Sequence, residues 1–185
     1  MEITKLNAAR MQLHTAIELW FSDANPVSIH TLASAAHQIV HDLNRHNKGP
    51  DLLLDSAFIK PERRREFVAI VKSASNFMKH ADRGPAGRAK TFDFNPDSNQ
   101  DFIMFTIFGL KYLREHLGPE EIAFEFWQII RDPDLMEDAG KAAFDDLFTV
   151  DTLKIMRAMP KHKFLEKIRL LFRQGKLPRV PHGLN

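Results

Sequence analysis

Three histidines in one helix-like segment form the clearest pattern of chemically useful side chains in this sequence. His30, His37 and His41 are spaced seven and four residues apart, a spacing that stacks side chains on one face of a helix. On a wheel of about 100° per residue they line one border of the apolar face. An i, i+4 histidine pair can hold one metal ion from one side of a helix. The spacing therefore predicts a divalent-metal site at His30, His37 and His41.

Other interpretations of this row stay open from the residues alone. Further metal ligands would have to come from other helices, with His14, His80 and Asp82 as candidates. Gln38 follows His37, at the place where a His-Glu-x-x-His zinc motif has its glutamate. The border of a helical core is also a common place for a half-buried histidine. The row is therefore a metal site, a metal-free polar site or a set of structural histidines.

A second polar stripe follows in the next long helical segment. Ser73, Asn76 and His80 are spaced three and four residues apart, so they share a helix face. Histidine changes its charge near neutral pH and is suited to proton transfer. The stripe predicts a candidate catalytic pair, His80 and Asn76.

The sequence from Ser75 to His80 resembles the Arg-Asn-x-x-x-His motif of the HEPN superfamily of helical bundles. Asn76 and His80 match the motif, and Ser75 stands at the arginine position. The resemblance covers about the first four helices. Many members of that superfamily are metal-independent ribonucleases that act as dimers. The resemblance therefore implies a helical bundle and a homodimer, and the replaced arginine implies a binding or regulatory module without nuclease activity.

Positive charge is concentrated near the end of the sequence. From Thr152 onward there are nine Lys or Arg and one acidic residue, so this segment carries +8 and the preceding residues −6. An amphipathic basic helix lies within it, and its apolar side needs burial. Its charges suit the phosphates of nucleic acid, an anionic membrane surface or acidic groups of the same chain. The candidate anion-binding residues are Lys161, Lys163, Lys167, Arg169 and Arg173.

Composition is that of an ordinary globular protein. The chain has 185 residues, 44% of them hydrophobic and 27% charged, which suffices for one domain with a full core. The absence of cysteine excludes disulfides, thiol nucleophiles and thiolate metal sites. We expect no signal peptide, and no membrane span because no apolar run approaches about 18 residues. These observations favour a cytoplasmic protein.

Apolar residues recur at helical spacing over most of the sequence, which predicts an all-α fold. The expected architecture is an up-and-down bundle with extra short C-terminal helices, in a single domain over 1–185. The core bundle would span about 4–131, followed by basic helices and a tail over about 132–185. The one exception is 90–94, whose alternation suits a short strand or hairpin. The long helices are predicted at 4–21, at 28–44, from Pro61 onward, at 100–117, at Pro119–Arg131 and at 161–174. The helix that starts at Pro61 has a predicted core face of Phe67, Ile70, Val71, Ala74 and Met78.

Three functions are compatible with these features. The favoured one is a HEPN-like binding or regulatory module. The first alternative is an enzyme, either a metal-dependent hydrolase using the histidine row or a divergent ribonuclease using His80. The second alternative is a nucleic-acid-binding protein that acts through the basic C-terminal helix.

Overall fold

The structure of the chain is a computed structural model. Helices form all the regular structure in its described part. The structure describes residues 1–55, 59–82, 91–136, 141–142, 144 and 148–177. No β-strand occurs in these ranges, which confirms the all-α class. Within them, no helix has the length and apolar character that crossing a bilayer requires. The α-helices are α1 Lys5–Phe21, α2 Pro26–His46, α3 Arg64–Lys79, α4 Ser98–Tyr112, α5 Pro119–Arg131, α6 Val150–Ala158 and α7 Lys161–Arg173.

The chain divides into two compact units, Met1–Leu117 and Gly118–Asn185. In the first unit, α2 is the central helix and packs against α1, α3 and α4. Fully buried aliphatic side chains such as Leu13, Val40 and Ile103 form its core. The central position of α2 matters for function because α2 carries the histidine row.

The second unit is built on α5, which packs against α6 and α7. Phe124, Ile130 and Ile168 are fully buried there. Trp127 of α5 meets Phe164 of α7 edge to face, with ring centroids 5.2 Å apart. Trp127 thus covers part of the apolar side of the basic helix, on which Phe172 remains 42% exposed.

Local chemistry explains where several helices begin. The Thr4 side chain accepts a hydrogen bond from the first turn of α1, and Asn25 does the same for α2. Pro119 occupies the first position of α5, where its missing N–H costs nothing. The Glu121 carboxylate reaches back to the backbone N–H of Gly118 at 3.0 Å. These signals are all within a few residues of the helix ends they set.

Some boundaries differ from the sequence prediction. Pro61 opens a 3-10 turn, Pro61–Arg63, before α3 begins. The helix predicted over 100–117 ends at Tyr112, because Arg114 adopts a left-handed φ of 60°. The segments outside the described ranges are 56–58, 83–90, 137–140, 143, 145–147 and 178–185. They include the first residue of the alternating segment 90–94 and part of the predicted tail.

Two expectations, one about a side chain and one about a strand, are wrong. Ile70, expected on the core face of α3, is 63% exposed. The buried residues of α3 are Ala74, as expected, and Ser75, which was not expected. Ser75 lies about 140° from Ile70 around the helix. The strand predicted at 90–94 does not form over its described residues. The alternating apolar side chains of this segment still pack inward: the ring of Phe92 contacts Phe77, and the ring of Phe94 contacts His30.

Candidate functional site

A buried hydrogen-bonded relay connects three helices of the first unit at His30. The Nδ1 atom of His30 lies 2.9 Å from Oδ1 of Asn99 on α4, and its Nε2 lies 3.0 Å from Oγ of Ser75 on α3. Both partners are distant in sequence, 69 and 45 residues away. The three side chains are all buried. The relay fixes how α2, α3 and α4 meet.

The proton positions in this relay follow from its outermost contact. Asn99 donates its Nδ2–H to the carbonyl oxygen of Pro26 at 3.0 Å. A carbonyl only accepts, so the amide oxygen of Asn99 must face His30. That oxygen also only accepts, so Nδ1 of His30 carries a proton. In the neutral ring, Nε2 is then bare and accepts the Ser75 hydroxyl proton.

The surroundings of His30 favour its neutral form. Burial lowers the pKa of its imidazole, the hydrogen bond to Asn99 raises it, and the charge of Lys79 lowers it again. The rings of Phe94 and Phe102 meet the imidazole edge to face at 5.1 and 5.0 Å. His30 is therefore a neutral, oriented base whose acceptor nitrogen points at a hydroxyl.

His41 binds two carboxylates. Its Nε2 lies 2.9 Å from Oδ1 of Asp55, and its Nδ1 lies 3.1 Å from Oδ1 of Asp42. The other Asp55 oxygen accepts the backbone N–H of Leu52 at 3.0 Å. Because carboxylate oxygens only accept, both bonds form together only when His41 is an imidazolium. This cluster fastens the 52–55 turn to α2.

His37 is the exception in the row. It is fully buried, and neither ring nitrogen has a hydrogen-bond partner among the described residues. Its ring lies 5.6 Å from that of Phe102 and 6.2 Å from that of His41. Burial, together with the charge of His41, lowers the pKa of His37 to about 3. His37 is thus held uncharged in an apolar setting.

The histidines were expected at a border of the core, and the structure corrects that expectation by burying all three. Helices pack on several sides of α2, so its border becomes interior. The metal site stays a prediction. The nitrogens of His30 and His41 are already bonded to protein atoms. In the described part of the first unit, no three histidine or carboxylate groups bring their ligand atoms within 4.8 Å of one another.

The motif residues lie apart from the relay. Asn76 is exposed on α3, and His80 is half-buried at the end of that helix. Their catalytic role stays a prediction. Ser75, which stands at the arginine position of the motif, is the α3 residue that reaches His30. Sequence reasoning missed Ser75 and Asn99, because spacing along one helix contains no signal for partners on other helices.

An apolar groove lies beside the relay. It has a volume of about 350 Å³. Phe77 and Phe92 stack there with centroids 5.4 Å apart. Phe94 connects groove and relay, since its ring also contacts His30. The described lining residues are Val27, Phe77, Met78, Phe92 and Phe94.

The candidate basic residues on α7 are partly engaged within the second unit. Arg169 forms an ion pair with Glu120 at 2.8 Å, and Lys163 pairs with Glu166 at 2.9 Å. Lys161, Lys167 and Arg173 share the same helix. Binding of nucleic acid by these residues stays a prediction.

Comparison with known proteins gives no relationship for this chain. No family model matches it, and neither a curated protein nor a solved structure is detectably similar. The HEPN resemblance therefore stays a prediction drawn from the sequence.

Proposed function

We propose that the first unit is a ligand-binding module that takes a small apolar molecule into the groove beside His30. The groove itself carries this proposal, because five apolar side chains line a concave space and one of them, Phe94, packs on the buried His30. Binding sites for small molecules combine these features, a mainly apolar lining with a few fixed polar groups.

The size of the groove favours a small molecule over a protein partner. Its volume of about 350 Å³ falls within the range of about 300–1,000 Å³ that is usual for ligand pockets. A stable protein interface buries about 800 Å² per partner, far more than five side chains provide. The expected ligand is therefore a compact aromatic or short aliphatic group.

The relay supports this function by holding the groove walls in place. His30 ties α2 to α3 and α4, and Phe94 packs on its ring. A site whose walls are already fixed loses little conformational entropy when ligand binds.

Binding of the fluorescent probe 1-anilinonaphthalene-8-sulfonate tests the proposal. Val27 and Ile70 are matched positions, since both are β-branched helix residues that are 44% and 63% exposed, and only Val27 lines the groove. We expect Val27→Gln to weaken probe binding about tenfold, in line with about 1.4 kcal/mol for lost apolar contact. Ile70→Gln should leave the affinity unchanged. Equal affinities for both variants and the parent would contradict a binding site in this groove.

Several finer expectations accompany this proposal as predictions from the sequence alone. The favoured function includes HEPN-like ancestry without nuclease activity, a homodimer and a cytoplasmic location. Its alternatives include nucleic-acid contact through α7 and a divalent metal at the histidine row.

A further inference from the structure

We propose that Ser75 is a nucleophile activated by His30, and that the first unit transfers small apolar acyl groups from esters to Ser75 and then to water. This inference rests on the proposed function, because the groove is where the acyl group would lie. The relay already has the arrangement that nucleophilic catalysis requires: a hydroxyl bonded to a base, and a base oriented by a third group.

The order of burial matches these roles. Ser75 keeps 8% of its surface exposed, whereas His30 and Asn99 keep 1% each. Ser75 is therefore the least buried residue of the relay. The protonated Nδ1 of His30 leaves Nε2 free to take the Ser75 proton, which is the tautomer a general base must have.

Helical spacing places the relay beside the groove on two helices. Val27 lies three residues before His30 on α2, and Met78 lies three residues after Ser75 on α3. Residues three apart are neighbours on a helix surface, and both Val27 and Met78 line the groove. The groove and the relay are therefore neighbours on both helices, and an acyl chain in the groove would run towards the Ser75 hydroxyl.

The chemistry balances without a cofactor. The Ser75 oxygen attacks the ester carbonyl carbon while its proton moves to Nε2 of His30. Collapse of the tetrahedral intermediate expels the alkoxide, which takes that proton and leaves as an alcohol. Water then attacks the acyl-Ser75 ester through the same proton transfers and releases a carboxylic acid. Lys79 lies one turn after Ser75, and its positive charge, which acts on His30, would offset the negative charge on the carbonyl oxygen.

Labelling of the full chain with a fluorophosphonate probe tests the nucleophile directly. The Ser75 oxygen would bond to phosphorus and expel fluoride. We expect one adduct, located by mass spectrometry on Ser75 and absent in Ser75→Ala. Ser73→Ala is the matched control, since the bond that Ser73 makes among the described residues is to the carbonyl of Ile70 on the same helix. Its loss should leave labelling intact. His30→Gln should slow labelling by about 100-fold or more. No labelling above that of heat-denatured protein would overturn the proposal.

The tautomer of His30 tests whether its Nε2 is free to accept the Ser75 proton. The ¹⁵N chemical shifts of His30 should show a protonated Nδ1 and a bare Nε2, and Asn99→Ala should erase that preference. A protonated Nε2 in the parent protein would overturn the proposal, because His30 could not then accept the Ser75 proton.

Ester hydrolysis separates this inference from the proposed function. We expect turnover of p-nitrophenyl butyrate, lost in Ser75→Ala, with Val27→Gln slowing the butyrate more than the acetate. Labelling of Ser75 without any effect of Val27→Gln would retain the nucleophile and refute the groove as its acyl site. Probe binding in the groove without labelling or hydrolysis would refute the nucleophile and retain the binding function.

Discussion

Acid should destabilise the first unit through His37, and the size of the effect follows from its surroundings. The pKa of His37 is about 3 in the folded protein, against an ordinary 6.5. The unfolded chain therefore takes up the proton first. The free energy of unfolding is therefore unaffected by protonation of His37 above pH 6.5 and decreases as the pH falls from there towards 3. One pKa unit corresponds to about 1.4 kcal/mol, so acidification from about pH 7.5 to about pH 5 removes about 2 kcal/mol.

The variant His37→Leu isolates this effect, because it removes the titrating group and keeps the side chain apolar. At neutral pH we expect the free energy of unfolding to stay the same or to rise by about 1–3 kcal/mol, since two buried nitrogens without described partners disappear. His30 titrates in both proteins and cancels from the difference.

Urea unfolding followed by far-UV circular dichroism at the two pH values measures the difference. The parent protein should lose about 2 kcal/mol more than His37→Leu between about pH 7.5 and about pH 5. His46→Leu, at an exposed position on the same helix, is the control and should follow the parent. Equal losses in His37→Leu and the parent would refute the reasoning. The reasoning would also be refuted if His37→Leu lowered the free energy of unfolding by several kcal/mol at neutral pH, because His37 would then have a stabilising partner.

Three further predictions concern packing and polar contacts. Gly109→Ala should destabilise the first unit by about 1–3 kcal/mol in urea titrations, because an added methyl group would collide with Val40; an unchanged midpoint would show that Val40 can move. Asn99→Ala should cost about 1–3 kcal/mol by the same measurement, because a buried donor of His30 loses its acceptor; a smaller loss would indicate that water replaces it. Arg169→Ala should lower stability by at most about 1 kcal/mol, less in high salt, because its pair with Glu120 is only partly buried; a salt-independent loss would point to packing of the side chain.

Local chemistry explains why much of the fold could be predicted. The helix Pro119–Arg131 matches its prediction at both ends, since proline at the first helical position is a signal that needs no distant partner. Gly175, two residues after the end of α7, has a φ of +63°, which glycine adopts without strain. The burial of Ile29 and Val40 likewise follows from helical periodicity.

The sequence by itself determined that this chain is helical, where most helices begin and that α2 carries three histidines. Only the tertiary structure decided what each histidine does. His30 acquires Ser75 and Asn99 from other helices, His41 acquires Asp55 from a turn, and the described residues leave His37 without a partner. The physical reason is one of range. Helix formation depends on residues within a few positions, whereas these hydrogen bonds depend on how each helix is rotated against the others.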